Sequence, residues 1–122
     1  MKYLPVFLTL MFVTYGQLAI KSGIAKLGPI PTQTFGDMLN YFLRSVSNVG
    51  VVSGLLAAVC GAFAWMAALS RFELSSVYPI LSLNFVIVPL FSSIIFGEAL
   101  NLPKIIGVTV IVLGVFIFSR GL

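Results

Sequence analysis

Few side chains in this chain can act chemically, and most of them fall at helical spacings. Gln17 and Lys21 are four residues apart and share one helix face, with Thr14 a turn earlier. Tyr78, Ser82 and Phe85 also share a face, with Asn84 beside them. These amide, hydroxyl and ammonium groups suit hydrogen bonding to a polyol and pairing with an anionic headgroup such as a phosphate. They do not suit bond-making catalysis. The chain has no His and a single cysteine, Cys60, so imidazole chemistry, an intrachain disulfide and a cysteine-based metal site are excluded. No nucleophile–base pair is present, so no catalytic residue, metal site or cofactor is expected, and an enzyme is not.

The sign of the charge matters next. Asp37, Glu73 and Glu98 all lie at or beyond the ends of the apolar stretches. A carboxylate inside a membrane is the usual device for binding a cation or relaying a proton, and this chain lacks one. Lys21 is the ionisable group best placed to meet a ligand, and its partner there would be an anion. Arg44 and Lys104 are the further candidates for a phosphate. Arg71 and Arg120 read as interfacial anchors, a role open to Lys104 as well.

The elements that carry these groups follow from composition. Of 122 residues, 60% are apolar and 8% charged, against roughly 25% charged in a soluble domain. Each membrane-spanning helix takes about 20 apolar residues. The chain therefore reads as an all-α membrane protein, residues 1–122 forming a single integral membrane domain. Four transmembrane helices are expected at about 3–22, 49–70, 75–97 and 102–120. A signal peptide is the rival reading of the first, but no small-residue cleavage site follows it. Short loops make neighbouring spans antiparallel.

The long first loop opens with the turn Gly28-Pro29-Ile30-Pro31. Phe35, Met38, Leu39, Phe42, Leu43 and Val46 then recur at helical spacing, and Thr34 with Asp37 reads as an N-cap. This predicts an amphipathic interfacial helix over about 34–47. The alternative is one longer tilted helix continuing into the second span. Basic residues divide nearly evenly between the two sides, so charge sets no orientation and dual topology stays open.

Gly54, Ala58, Gly61, Ala64 and Ala68 form a small-residue face on the second span. Gly107 and Gly114 fall on one face of the fourth and are the candidates for dimer packing. Pro79 and Pro89 are expected to bend the third span, because each removes a backbone donor. Four helices make a thin wall for a transport path, and no internal repeat supplies a second half. Transport would therefore need another copy or a related chain.

Three segments carry a resemblance. The first span ends Gly16-Gln17-Leu18-Ala19-Ile20-Lys21. The third reads Tyr78-Pro79-Ile80-Leu81-Ser82-Leu83-Asn84-Phe85 and closes Phe96-Gly97-Glu98. Leu102-Pro103-Lys104-Ile105-Ile106-Gly107 follows, then Gly114-Val115. The chain resembles the four-helix branch of the drug/metabolite transporter superfamily, with its EamA or small multidrug resistance fold. Within it, the resemblance is better to the undecaprenyl-phosphate-aminoarabinose flippase subunits. The multidrug exporters carry a glutamate three residues before the glycine at Gly16, where this chain has Val13. Their glycine-rich hinge falls here on Leu83, Asn84 and Phe85.

The resemblance implies a transporter that flips a polyprenyl-phosphate-linked sugar across a bacterial inner or archaeal plasma membrane. It implies a dimer: a homodimer, parallel or antiparallel, or a heterodimer with a related chain. Lys21, helped by Arg44 or Lys104, would meet the phosphate. Gln17, Tyr78, Ser82 and Asn84 would form a polar seam for the sugar. A small multidrug or metabolite exporter and a non-transporting partner of a membrane glycosyltransferase are the alternatives.

Overall fold

A computed structural model describes residues 2–122. It contains six helices: α1 (Leu4–Leu27), α2 (Phe35–Ser45), α3 (Val49–Leu69), α4 (Leu74–Leu81), α5 (Asn84–Phe96) and α6 (Leu102–Ser119). Four helical stretches are long and apolar enough to cross a membrane: α1, α3, α4 with α5, and α6. The all-helical, four-span reading therefore holds. Helices suit these segments because lipid offers no water to backbone N–H and C=O groups.

The first span is longer than its apolar run. It continues past residue 22 to Leu27. Ile24, Ala25, Lys26 and Leu27 tolerate a helix, and Gly28 ends it at a φ of +82°, which an L side chain rarely adopts. Lys21 thus lies inside the helix rather than at its end.

α1 and α3 make the most intimate contact in the bundle, and glycines permit it. A Cβ on Gly54 would lie 2.7 Å from the Gly16 carbonyl oxygen and 3.0 Å from the Ile20 nitrogen. Such close backbone approach is how helices gain contact in lipid, where burial alone drives nothing. The small-residue face of the second span is used here, within the chain, with one correction. Ala58 is exposed, and Ala57 is buried beside Gly54 and Gly61. At the end near the N-terminus, Val6, Ala68 and Val77 form a small core, flanked by Trp65, Phe72 and Ile80. Tyr3 stacks on Phe72 there, with centroids 4.9 Å apart.

α2 is a separate helix, not an extension of α3. Thr34 Oγ1 accepts the Asp37 amide at 3.2 Å, as its spacing predicts. Asn48 then caps α3, its Oδ1 accepting from the Gly50 and Val51 amides. Tyr41 is buried, and its hydroxyl donates to the Gly28 carbonyl at 2.7 Å, tying α2 to the end of α1. Phe35, Leu39 and Phe42 remain exposed on α2.

The third span is not one helix. It breaks at Ser82 and Leu83, between the two prolines. Backbone bonds there shorten to three residues, Ser82 N to Pro79 O and Leu83 N to Ile80 O. Pro79 lies just before the break and removes a donor from α4. Pro89 sits inside α5 without interrupting it, so only one of the two expected bends coincides with a break in the helix. The last helix, α6, has no buried residue and rests mainly against α5 and α4.

Glycine at position 54 is therefore a structural requirement. Gly54→Ala is expected to cost about 1–3 kcal/mol, since backbone must move to admit the methyl group. Gly36→Ala, whose Cβ would meet nothing within 4 Å, should not destabilise the fold. Thermal unfolding of the two variants in detergent checks this contrast.

Candidate substrate-binding site

The break in the third span opens a cavity of about 430 Å³. Gln17, Tyr78, Ser82 and Asn84 line it, with Leu81, Phe85, Val88 and Pro89 as the apolar part. All four residues of the expected polar seam thus meet in one place. α1 supplies Gln17, α4 supplies Tyr78, the break supplies Ser82, and the first residue of α5 supplies Asn84. The size falls within the range of about 300–1,000 Å³ for small-ligand sites.

These groups differ in how free they are. The Ser82 hydroxyl donates to the Pro79 carbonyl and covers an acceptor at the break. Thr14 Oγ1 lies 2.8 Å from the Leu10 carbonyl and 2.5 Å from Asn84 Oδ1, so one hydroxyl joins α1 to α5. Asn84 is held in place by this bond. Tyr78 is 63% exposed and meets Trp65 edge-on, with centroids 6.0 Å apart. Among the described residues, Gln17 makes no side-chain hydrogen bond, which leaves its amide free for a ligand.

A second cavity, of about 420 Å³, shares Phe85, Val88 and Pro89 with the first. Its polar lining is Ser92, Glu98 and Lys104. The Lys104 ammonium donates to the Ala99 carbonyl at 3.2 Å. Lys21 lines neither cavity. Its Nζ lies 3.9 Å from Glu98 Oε1, and both side chains are about half exposed (57% and 50%). Such an exposed pair contributes about 0–1 kcal/mol.

The two cavities thus adjoin along α5 as one groove, with Lys104 in its lining and Lys21 beside it through Glu98. Arg44 does not join them. It lines a different hollow on α2, with Asp37, Asn40 and Ser47. Glu98 is the residue that sequence reasoning missed. It lies outside the spans, as its place in the sequence predicts, but α1 carries Lys21 to the loop that holds it. The one signal for it is its place directly after Phe96-Gly97, where α5 stops at a left-handed glycine. Gly107 and Gly114 face open space, since a Cβ on either would meet nothing within 4 Å.

Four apolar spans, the third interrupted beside a cavity with four polar residues in its lining, make up a small multi-pass membrane protein of the transporter class. The chain belongs to the EamA-like transporter family, whose model matches residues 2–120. That places it among transporters and not among enzymes. It is 29% identical over 121 residues to the probable 4-amino-4-deoxy-L-arabinose-phosphoundecaprenol flippase subunit ArnF of Proteus mirabilis, covering 97% of this chain and 91% of that one. The ArnF subunit of Photorhabdus laumondii is 30% identical over 119 residues, with 93% and 92% covered. The ArnE subunit of Pseudomonas aeruginosa strain UCBPP-PA14 is 39% identical over 66 residues, covering 54% and 57%. No solved structure matches the chain.

The Thr14–Asn84 bond can be tested directly. Interhelical hydrogen bonds in membranes are worth about 0.6–2 kcal/mol. Asn84→Ala and Thr14→Val should each destabilise the fold by about that amount. The double variant should lose little more than either single one, and unfolding in detergent measures this non-additivity.

Proposed function

We propose that this chain is a subunit of a flippase for a polyprenyl-phosphate-linked amino sugar in a bacterial inner membrane. The observation that carries the reading is the gathering of Gln17, Tyr78, Ser82 and Asn84 on one cavity, a helical turn from Lys21. The names of the aminoarabinose-phosphoundecaprenol relatives support the substrate class.

The physics of the task fits these residues. A sugar crossing hydrocarbon unaided loses its hydrogen bonds to water, at several kcal/mol for each unpaired polar group. In this reading the cavity supplies replacement partners. The Gln17 amide and Tyr78 hydroxyl face the sugar, and Asn84 presents an amide anchored by Thr14. The phosphate pairs with Lys21, and Lys104 adds positive charge from the lining of the groove. The prenyl tail stays in the lipid beside α5 and α6. The gradient of the lipid, made on one face and consumed on the other, drives net movement. No cofactor takes part.

A second chain completes the path. α6 has no buried residue, and its Gly107 and Gly114 have no neighbour within the chain. In this reading those glycines pack against another copy or a related subunit. The relatives' designation as subunits supports this.

Two measurements test the proposal. Lys21→Ala should bind a polyprenyl phosphate at least about tenfold more weakly than the parent. Equal binding would remove Lys21 from the phosphate site. Gly107→Leu with Gly114→Leu should abolish cross-linked dimers and lipid scrambling in reconstituted vesicles. Helical content measured by circular dichroism should stay unchanged, because a Cβ at either position meets nothing within 4 Å.

A further inference from the structure

Glu98 is out of place at a site for an anion. Among the three acids, Asp37 lies in the separate hollow on α2, and Glu73 is the N-cap of α4, at the other end of the bundle. Only Glu98 lines the groove. Its carboxylate faces the Lys21 ammonium at 3.9 Å, beyond the distance of about 2.7–2.9 Å for a charge-assisted hydrogen bond. Among the described residues, neither group makes a hydrogen bond, whereas Lys104 is engaged by Ala99. The result is a loosely held positive and negative pole, side by side at the mouth of a cavity.

A purely anionic headgroup would be repelled by one of these poles. A headgroup carrying both signs would satisfy each. A sugar phosphodiester has one negative charge, and an amine on the same sugar is an ammonium at neutral pH. We infer that Glu98 recognises a sugar ammonium while Lys21 holds the phosphate, so that the site selects a zwitterionic headgroup. This rests on the phosphate reading of Lys21 given above and adds a specificity residue to it. Both side chains are half exposed and flexible, and their mutual attraction is weak, so a ligand can insert between them at small cost. Glu98 sits in the loop after α5, outside any helix, and already lines the second cavity.

The test uses the full chain in detergent and two probes that differ in one group: a polyprenyl-phosphate aminoarabinose and its N-acetylated form. Acetylation removes the positive charge and keeps the phosphate. The parent should bind the free-amine lipid about five- to tenfold more tightly, the scale of one partly exposed charge-assisted contact. Glu98→Gln should bring that ratio near one, by weakening the free-amine lipid and relieving the acetylated one of the carboxylate's repulsion. Glu98→Asp, which keeps the charge, should retain the preference and guard against a general structural effect. The inference is overturned if Glu98→Gln keeps the ratio. It is also overturned if Glu98→Gln tightens both lipids alike, which would make Glu98 only a competitor for Lys21. A Lys21→Ala arm separates the two levels. Weaker binding of both lipids supports the phosphate reading whatever Glu98 does, and unchanged binding of both overturns that reading and this inference together.

Discussion

The contact between α1 and α3 sets the frame for everything else. Lipid removes the hydrophobic drive for helices to associate, so contact must come from close packing of backbone and small side chains. Gly16 and Gly23 on α1 face Gly50 and Gly54 on α3, at distances a single methyl group would spoil. That contact fixes the rotation of α1 about its own axis. The rotation decides where the polar residues of α1 go: Thr14 toward Asn84, Gln17 to the cavity, Lys21 to the loop after α5.

The third span answers a different constraint. Every irregular stretch of backbone inside a bilayer leaves polar groups to be satisfied. Proline at position 79 removes one donor, and the chain responds with four three-residue bonds around the break and a serine that covers the Pro79 carbonyl. No glycine takes part. The cavity and the interruption share this location, the arrangement by which transporters place irregular backbone where it lines a cavity. Packing and polarity are thus divided between two helix pairs. α1 with α3 supplies rigidity, and α4 with α5 supplies the polar opening.

Order across the bundle is uneven. α1 and α3 are closely packed, whereas α6 rests mainly on α5 and α4 and has no buried residue. A helix fully apolar yet so little engaged can rest in lipid or pack on another chain. The groove runs between α5 and this loosely held helix, so whatever covers α6 also shapes one wall of the groove. Under the flippase reading, the site and the subunit contact are parts of one device.

The sequence by itself determined the class, the number of spans and the Thr34 cap, and it singled out four polar residues that line one cavity. Each rests on local information: apolar run length, helical spacing, and the cost of polar groups in lipid. Tertiary structure decided what depends on rotation and reach. It showed that Ala57 rather than Ala58 packs with the glycines, and that the third span breaks at Ser82 and Leu83, between the two prolines. It also separated Arg44 from the groove and brought Glu98 against Lys21. Spacing along a chain says which side chains share a face. It cannot say which face of one helix meets which part of another, because that follows from the packing of all the helices together.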